Sequence, residues 1–202
     1  MLHLFSGDST NSTSLGAELL LLGIACANVD CKIVDVPFMD LLDGRVFEHW
    51  KARSSEFGAL WAGVPCGSFS PVSNHQPGPM VLRSKLYVLG LPGLPKQMAD
   101  KVREANVLVH RGLELAFLFY QRSAPFGLEN PAPRMYNGAR TDDPSFFELP
   151  KAEELARLPG VEHVDFEQCM LGSSRAKPTR CLVYGLALRH LHQKWCEHPK
   201  AW

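Results

Sequence analysis

Leu60-Trp-Ala-Gly-Val-Pro-Cys66-Gly-Ser-Phe-Ser70 is the stretch on which the fold turns. The apolar run 59–64 predicts a buried strand, and Pro65, Cys66, Gly67 and Ser68 then break it. A strand that ends in this way delivers one thiol to the carboxyl edge of a sheet, where open α/β folds bind their ligands. Pro65 fixes the approach of the chain; Gly67 permits a sharp turn or a close backbone approach. A free cysteine is most often a small buried hydrophobe. Cys66, however, lies two residues beyond the apolar run, among turn formers. That makes it a candidate nucleophile whose partners must be sought elsewhere in the chain.

Pro125-Phe-Gly-Leu-Glu129-Asn130-Pro131 repeats the pattern: an apolar strand followed by a carboxylate, an amide and a proline. Two strand ends carrying a thiol and a carboxylate point to a site more strongly than either does alone. Upstream, residues 1–5 predict a first strand. A loop of small polar residues, Ser6 to Thr13, and a leucine-rich helix over 14–23 follow it. Strand, small-residue loop and helix form the first βα unit of a nucleotide-type fold, with backbone N–H groups turned toward a ligand. Residues 29–35 read as a second strand ending at Asp35, where an acid takes ribose hydroxyls in dinucleotide and nucleoside folds. Asp40 and Asp43 flank the start of a short helix over 45–53; either caps it or reaches a ligand base.

The chain has 202 residues with 21 basic and 21 acidic side chains, which suits one soluble domain with its own core. The zero balance removes the basic excess by which phosphate-gripping proteins are recognised, so any nucleic-acid contact needs a local patch or a separate module. Six cysteines without a Cys-x-x-Cys pair, and no secretory signal, predict reduced thiols and an intracellular location, nuclear or cytosolic. The most apolar run, 15–29, carries Glu18 and is too short to span a bilayer, so no membrane contact is expected.

After Cys66, residues 69–95 form a long proline- and glycine-rich connection, expected to be a lid, with Arg83 and Lys85 solvated or meeting phosphate. Residues 96–122 predict the longest helix, with Val102, Ala105, Val109, Leu113, Ala116 and Phe119 in its apolar stripe. Residues 146–158 predict an amphipathic helix, and 161–168 and 181–187 predict an antiparallel hairpin. His190, His192, Cys196 and His198 are ligand-type residues in a tail that lacks a Cys-x-x-Cys partner. A surface helix end is expected there, and no metal is assigned.

In chain order, Phe5-Ser-Gly7, Pro65-Cys66 and Glu129-Asn130-Pro131 resemble the DNA cytosine-5 methyltransferase family. Gly63-Val-Pro-Cys66 through Phe69-Ser70 and Gln168-Cys-Met-Leu-Gly172 followed by Lys177-Pro-Thr-Arg180 are similar to its small, divergent branch in phages, viruses and mobile elements. The resemblance covers nearly the whole chain. It implies a Rossmann-like class I S-adenosylmethionine-dependent methyltransferase fold, with a mixed sheet, an antiparallel C-terminal hairpin and a single catalytic domain over 1–202. No separate target-recognition domain is expected. The family's first motif has a second glycine two positions after the first, where this chain has Ser9.

The resemblance gives Cys66 the role of adding to C6 of cytosine, which directs electron density to C5. It gives Glu129 the N3 and amino edge of a flipped base, and Arg175 or Arg180 the base carbonyl or a neighbouring phosphate. The cofactor, S-adenosylmethionine, is expected against Phe5, Ser6, Gly7 and Pro65, with Asp35 on its ribose and Asp43 near its adenine. The implied partner is DNA rather than RNA, with a separate protein for target recognition. The alternative is a catalytically degenerate module that binds nucleic acid or protein within a mobile element or phage. An unrelated cysteine hydrolase would need a base, and His163, placed for packing, is the one histidine near a strand end.

Overall fold

The structure is a computed structural model that describes residues 1–6, 15–31, 33, 36–69, 81–133, 135–136, 139–140, 144–172 and 177–196. It is an α/β protein built on a six-stranded mixed sheet in the order β2-β1-β3-β4-β8-β7. These strands are β1 (Leu2–Leu4), β2 (Ala27–Val29), β3 (Leu60–Gly63), β4 (Phe126–Pro131), β7 (Val161–Glu167) and β8 (Pro178–Tyr184). A separate ribbon pairs β5 (Met135–Tyr136) with β6 (Ala139–Arg140). Strands β2, β1, β3 and β4 are parallel, and β8 runs antiparallel to both of its neighbours. The expected antiparallel C-terminal hairpin is therefore present, with its second strand at 178–184 rather than 181–187.

Side-chain alternation divides the sheet into two faces. One row across four strands, Leu4, Ala62, Leu128 and Leu182, is held in register and fully buried. Three helices cover this face: α2 (Gly44–Ala52), α3 (Lys96–Gln121) and α4 (Pro150–Ala156). Along α3, Val102, Val109, Leu113, Ala116 and Phe119 are buried as their spacing predicts. The expected helix over 146–158 is instead a 3₁₀ turn at Phe146–Glu148 followed by α4. The break falls where it must, because Leu149 precedes Pro150, and proline drives its predecessor out of helical geometry. Ser145 and Glu148 form a reciprocal cap on the 3₁₀ turn.

The opposite face is covered by α1 (Leu15–Leu21), whose Gly16 lies against the Asn28 side chain, and by the segment after β8. A second cluster forms there from Val164, Phe166, Cys181 and Val183, packed against Trp61, Leu186, Leu188 and Leu191. Trp61 has room only because residue 127 is glycine: a Cβ at Gly127 would stand 2.4 Å from two atoms of the indole. No helix among the described residues is long and apolar enough to cross a membrane.

Two further expectations are revised. The second strand ends at Val29, not Asp35, so Asp30 stands at its carboxyl end. Residues 34 and 35 lie outside the described residues. The tail is not a helix end: after a 3₁₀ turn at Arg189–Leu191, Lys194 bridges Phe166 in parallel and closes the edge of β7.

Gly127→Ala is expected to lower the unfolding free energy by about 1–3 kcal/mol, through displacement of Trp61. Gly58→Ala, whose new methyl meets nothing within 4 Å, should leave it unchanged. Urea denaturation followed by tryptophan fluorescence compares the two.

Candidate active site

From β1 the sheet grows both ways, to β2 on one side and to β3 and β4 on the other. A reversal of this kind opens a crevice beyond the carboxyl ends of the two central strands. Here those strands are β1 and β3, so Phe5 and Ser6 form one wall and Val64, Pro65 and Cys66 the other. Glu129 lies on the next strand, directly across from Gly63. The absent Cβ of Gly63 matters, since at its position Phe5 O would be 3.6 Å away and Glu129 Oε2 3.7 Å. The Phe5 carbonyl and the Glu129 carboxylate thus converge above the end of β3. Phe5 holds a left-handed backbone, φ 56°, while its N–H donates to Val29 O at 2.8 Å. A phenylalanine in that conformation carries local strain, and such strain gathers at ligand-binding positions.

The turn bearing Cys66 is fixed by β4. Val64 N donates to Glu129 O at 3.1 Å, and Asn130 Nδ2 donates to Val64 O at 2.9 Å. Asn130 is 1% exposed, and its Oδ1 is buried without a hydrogen-bond partner among the described residues. Phe69 N then donates to Cys66 O at 2.9 Å and closes the turn, with the Cys66 side chain half-buried. The amide of the Glu-Asn-Pro segment therefore determines where the Pro-Cys segment leaves the sheet.

Glu129 is paired. Its Oε1 accepts from Lys177 Nζ at 3.1 Å, with the carboxylate 21% and the lysine 40% exposed. Arg180 is not beside it. In the β4–β8 register Glu129 faces Cys181 and Asn130 faces Arg180, so Arg180 projects from the other face. There it holds Asp165 through two bonds of 2.6 and 2.7 Å and lies over the Phe147 ring. Lys177 was legible by the same period of two, because 177, 179 and 181 share the face of Glu129. Arg175 lies outside the described residues.

Of the expected cofactor residues, Phe5 and Ser6 follow β1 and Pro65 follows β3, with the Phe5 ring packed on the core beside Gly112 of α3, while Gly7 and Asp35 lie outside the described residues. Asp43 is instead the N-cap of α2: Oδ1 accepts from Arg45 N at 2.8 Å and Oδ2 from the Arg45 guanidinium at 2.8 Å. That backbone bond and the guanidinium hold its carboxyl below the usual carboxylate range. The acid at the end of the second strand is Asp30. The expected strand over 29–35 runs past it, whereas Ala27-Asn-Val29 pairs with β1.

His163 lies on β7, edge-on to Phe147 at 5.7 Å and away from the crevice. Burial first, and then the nearby Arg180, lower its pKa. Arg83 is not solvated: it is 1% exposed and stacked on Phe69 at 3.9 Å, while residues 70–80 of the expected lid lie outside the described residues. Burial lowers its pKa to about 10.

No protein-family model, curated protein or solved structure matches the chain.

Asn130→Ala leaves Val64 O without its donor, and the expected loss is about 1–3 kcal/mol of stability. Alkylation of Cys66 should accelerate in the same variant, as read by mass spectrometry. Cys181, by contrast, is fully buried, and its pKa is raised from 9.0 to about 12, first by burial and then by the charge of Glu129. The native state then holds a proton that the unfolded state releases, so stability falls as pH rises from about 9 toward 12. Cys181→Ala should flatten that slope in denaturation measured across the alkaline range.

Proposed function

We propose that the protein transfers a methyl group from S-adenosylmethionine to C5 of cytosine in nucleic acid, DNA in preference to RNA, through a covalent adduct at Cys66. One observation carries this reading: a half-buried thiol and a carboxylate leave adjacent parallel strand ends beside a topological switch point, and Asn130 locks the thiol's turn to the carboxylate's strand. The four parallel strands and the antiparallel β8 support a Rossmann-like class I methyltransferase arrangement.

The residues present suit the cofactor. Asp30 at the end of β2 offers a carboxylate for the ribose hydroxyls, Phe5 and Ser6 offer backbone polar groups, and Gly63 leaves the space between Phe5 O and Glu129 open. Bound S-adenosylmethionine supplies an electrophilic methyl carbon on a sulfonium. The Cys66 thiolate adds to C6 of the base, forming the S–C6 bond and moving the ring electron pair to C5. Glu129 holds N3 and the exocyclic amino group and shares a proton with N3 as charge enters the ring. After methylation at C5, loss of the C5 proton to water and expulsion of the Cys66 thiolate restore the aromatic ring. Lys177, on the same face as Glu129, takes the electropositive role expected of Arg180 and meets the base carbonyl or a phosphate. The base must leave the duplex to reach this crevice.

One observation favours a second reading, that of a binding module without catalysis. Lys177 already neutralises Glu129, and a carboxylate so engaged has less capacity to hold a base.

Calorimetry of the purified chain with S-adenosylmethionine decides between them. Micromolar binding is expected, weakened about tenfold or more by Asp30→Ala through loss of a charged hydrogen bond. A 5-fluorocytosine oligonucleotide with cofactor should then form a covalent adduct with the wild type and none with Cys66→Ala. Absence of binding at millimolar cofactor rejects the methyltransferase reading in favour of the module.

A further inference from the structure

At the far end of β7, remote in sequence from Cys66 and Glu129, the tail folds back against the edge strand. Gln193 N donates to Asp165 O at 2.7 Å, and Glu167 N donates to Lys194 O at 2.9 Å. This pairing carries Cys196 to the end of β7, where its N–H donates to Glu167 Oε2 at 2.6 Å. On the other side the chain leaves β7 through the 3₁₀ turn Gln168–Leu171, held by Gln168 N donating to Lys177 O at 3.2 Å. That turn sets the Cys169 Sγ 4.0 Å from the same carboxylate oxygen and in hydrogen-bond contact with Cys196. Two thiols from separate backbone segments thus flank one carboxylate, and the three donor atoms lie within 4.8 Å of one another.

Glu167 is only 8% exposed, and no lysine, arginine or histidine pairs with it among the described residues. Buried charges are normally neutralised by an ion pair or by a metal. The other buried or half-buried acids of this sheet follow that rule, since Glu129 has Lys177 and Asp165 has Arg180. Glu167 has two thiols and a peptide N–H instead. In tetrahedral zinc coordination, Zn–S bonds of about 2.3 Å and Zn–O bonds of about 2.0–2.2 Å place the donor atoms about 3.5–3.8 Å apart. The present spacing, within 4.8 Å, exceeds those values by about 1 Å at most.

We propose that Glu167, Cys169 and Cys196 bind a thiophilic divalent cation, zinc being the fitting one, with water in the fourth position. Both thiols bind as thiolates and release their protons to solvent, so no redox step is involved. The bound ion supplies the positive charge that Glu167 lacks and fastens the tail to the turn preceding Lys177. His190 and His192 are not part of this cluster: His192 Nδ1 accepts from Asp165 N at 3.1 Å, and His190 Nδ1 lies 3.0 Å from Ala187 O.

Cobalt(II) serves as the spectroscopic probe. The full chain, reduced and stripped with chelator, is titrated with cobalt(II) and then with zinc(II). One equivalent of cobalt should give a thiolate-to-metal charge-transfer band together with the intense visible bands of tetrahedral geometry, and zinc should bleach both. Cys169→Ser and Cys196→Ser should each abolish the charge-transfer band of the bound pair, and Glu167→Gln should weaken binding about tenfold or more. Wild-type protein gives a measurement free of any folding defect: zinc should protect Cys169 and Cys196 from iodoacetamide and leave Cys31 reactive. A wild type that shows no band, or that keeps both cysteines reactive with zinc in excess, overturns the site. A band that survives in both serine variants does the same. This outcome is independent of cofactor binding at the crevice.

Discussion

The hydrogen bond from Asn130 Nδ2 to Val64 O is the contact on which the arrangement at the crevice depends. Parallel pairing brings Val64 N to Glu129 O, and the Asn130 amide then takes the Val64 carbonyl, so the residue that follows the third strand is held at both ends by the fourth. The bond itself contributes about 1 kcal/mol, but a buried carbonyl left unpaired costs more than a made bond contributes. Proline at 65 cannot extend the ladder. The chain must therefore leave the sheet there, and Cys66 emerges beside Glu129. The Oδ1 of the same amide is buried without a hydrogen-bond partner among the described residues.

Alternation across the sheet separates two sets of polar groups that lie close together in sequence. Glu129, Lys177 and Cys181 share one face; Asn130, Asp165 and Arg180 share the other. The Arg180–Asp165 pair is bidentate and rests on Phe147, so it binds the hairpin to the turn before α4. It does so where both groups keep some water, and its strength lies in geometry more than in burial. Across the sheet, Glu129 keeps a lysine on a flexible stem as its partner. A lysine can turn away to another anion while the carboxylate stays in place.

The elements that were legible were those whose pattern and punctuation agree. Residues 59–66 and 125–131 combine an apolar run with a proline, and 96–121 repeats its stripe over seven turns, so β3, β4 and α3 fall where the sequence places them. The second strand was misplaced because Cys-Lys-Ile-Val is more apolar than Ala-Asn-Val; the shorter run won through pairing with β1, a long-range choice that local pattern does not encode. Asp30 therefore follows that strand, and Asp35 lies outside the described residues. Of the basic residues expected at the site, Arg180 lies on the face away from Glu129 and Arg175 lies outside the described residues, whereas Lys177 shares the face of Glu129. Of the Glu167, Cys169 and Cys196 cluster only Cys196 stands out as a ligand-type residue: it lies 27 residues beyond Cys169 and reaches it because the tail pairs with the edge of β7.

Arg83 anchors the described ends of the connection that follows Cys66. Its guanidinium donates to Ser68 Oγ at 2.9 Å, Val88 O at 2.6 Å and Asn106 Oδ1 at 2.7 Å, and it stacks on Phe69. No carboxylate accompanies it among the described residues, so neutral oxygens and a ring face replace its hydration shell. Burial brings its pKa down to about 10, which still leaves it charged at neutral pH. A cation held in this way ties three segments together: the turn that carries Cys66, the connection over 82–89 and the α3 helix through Asn106. Asn106 completes the tie by donating to Leu89 O at 2.9 Å. The position of Cys66 is therefore set from two directions, by Asn130 before it and by Arg83 after it. Replacing either side chain with an apolar one would leave buried polar oxygens on the segment that has to hold the thiol still.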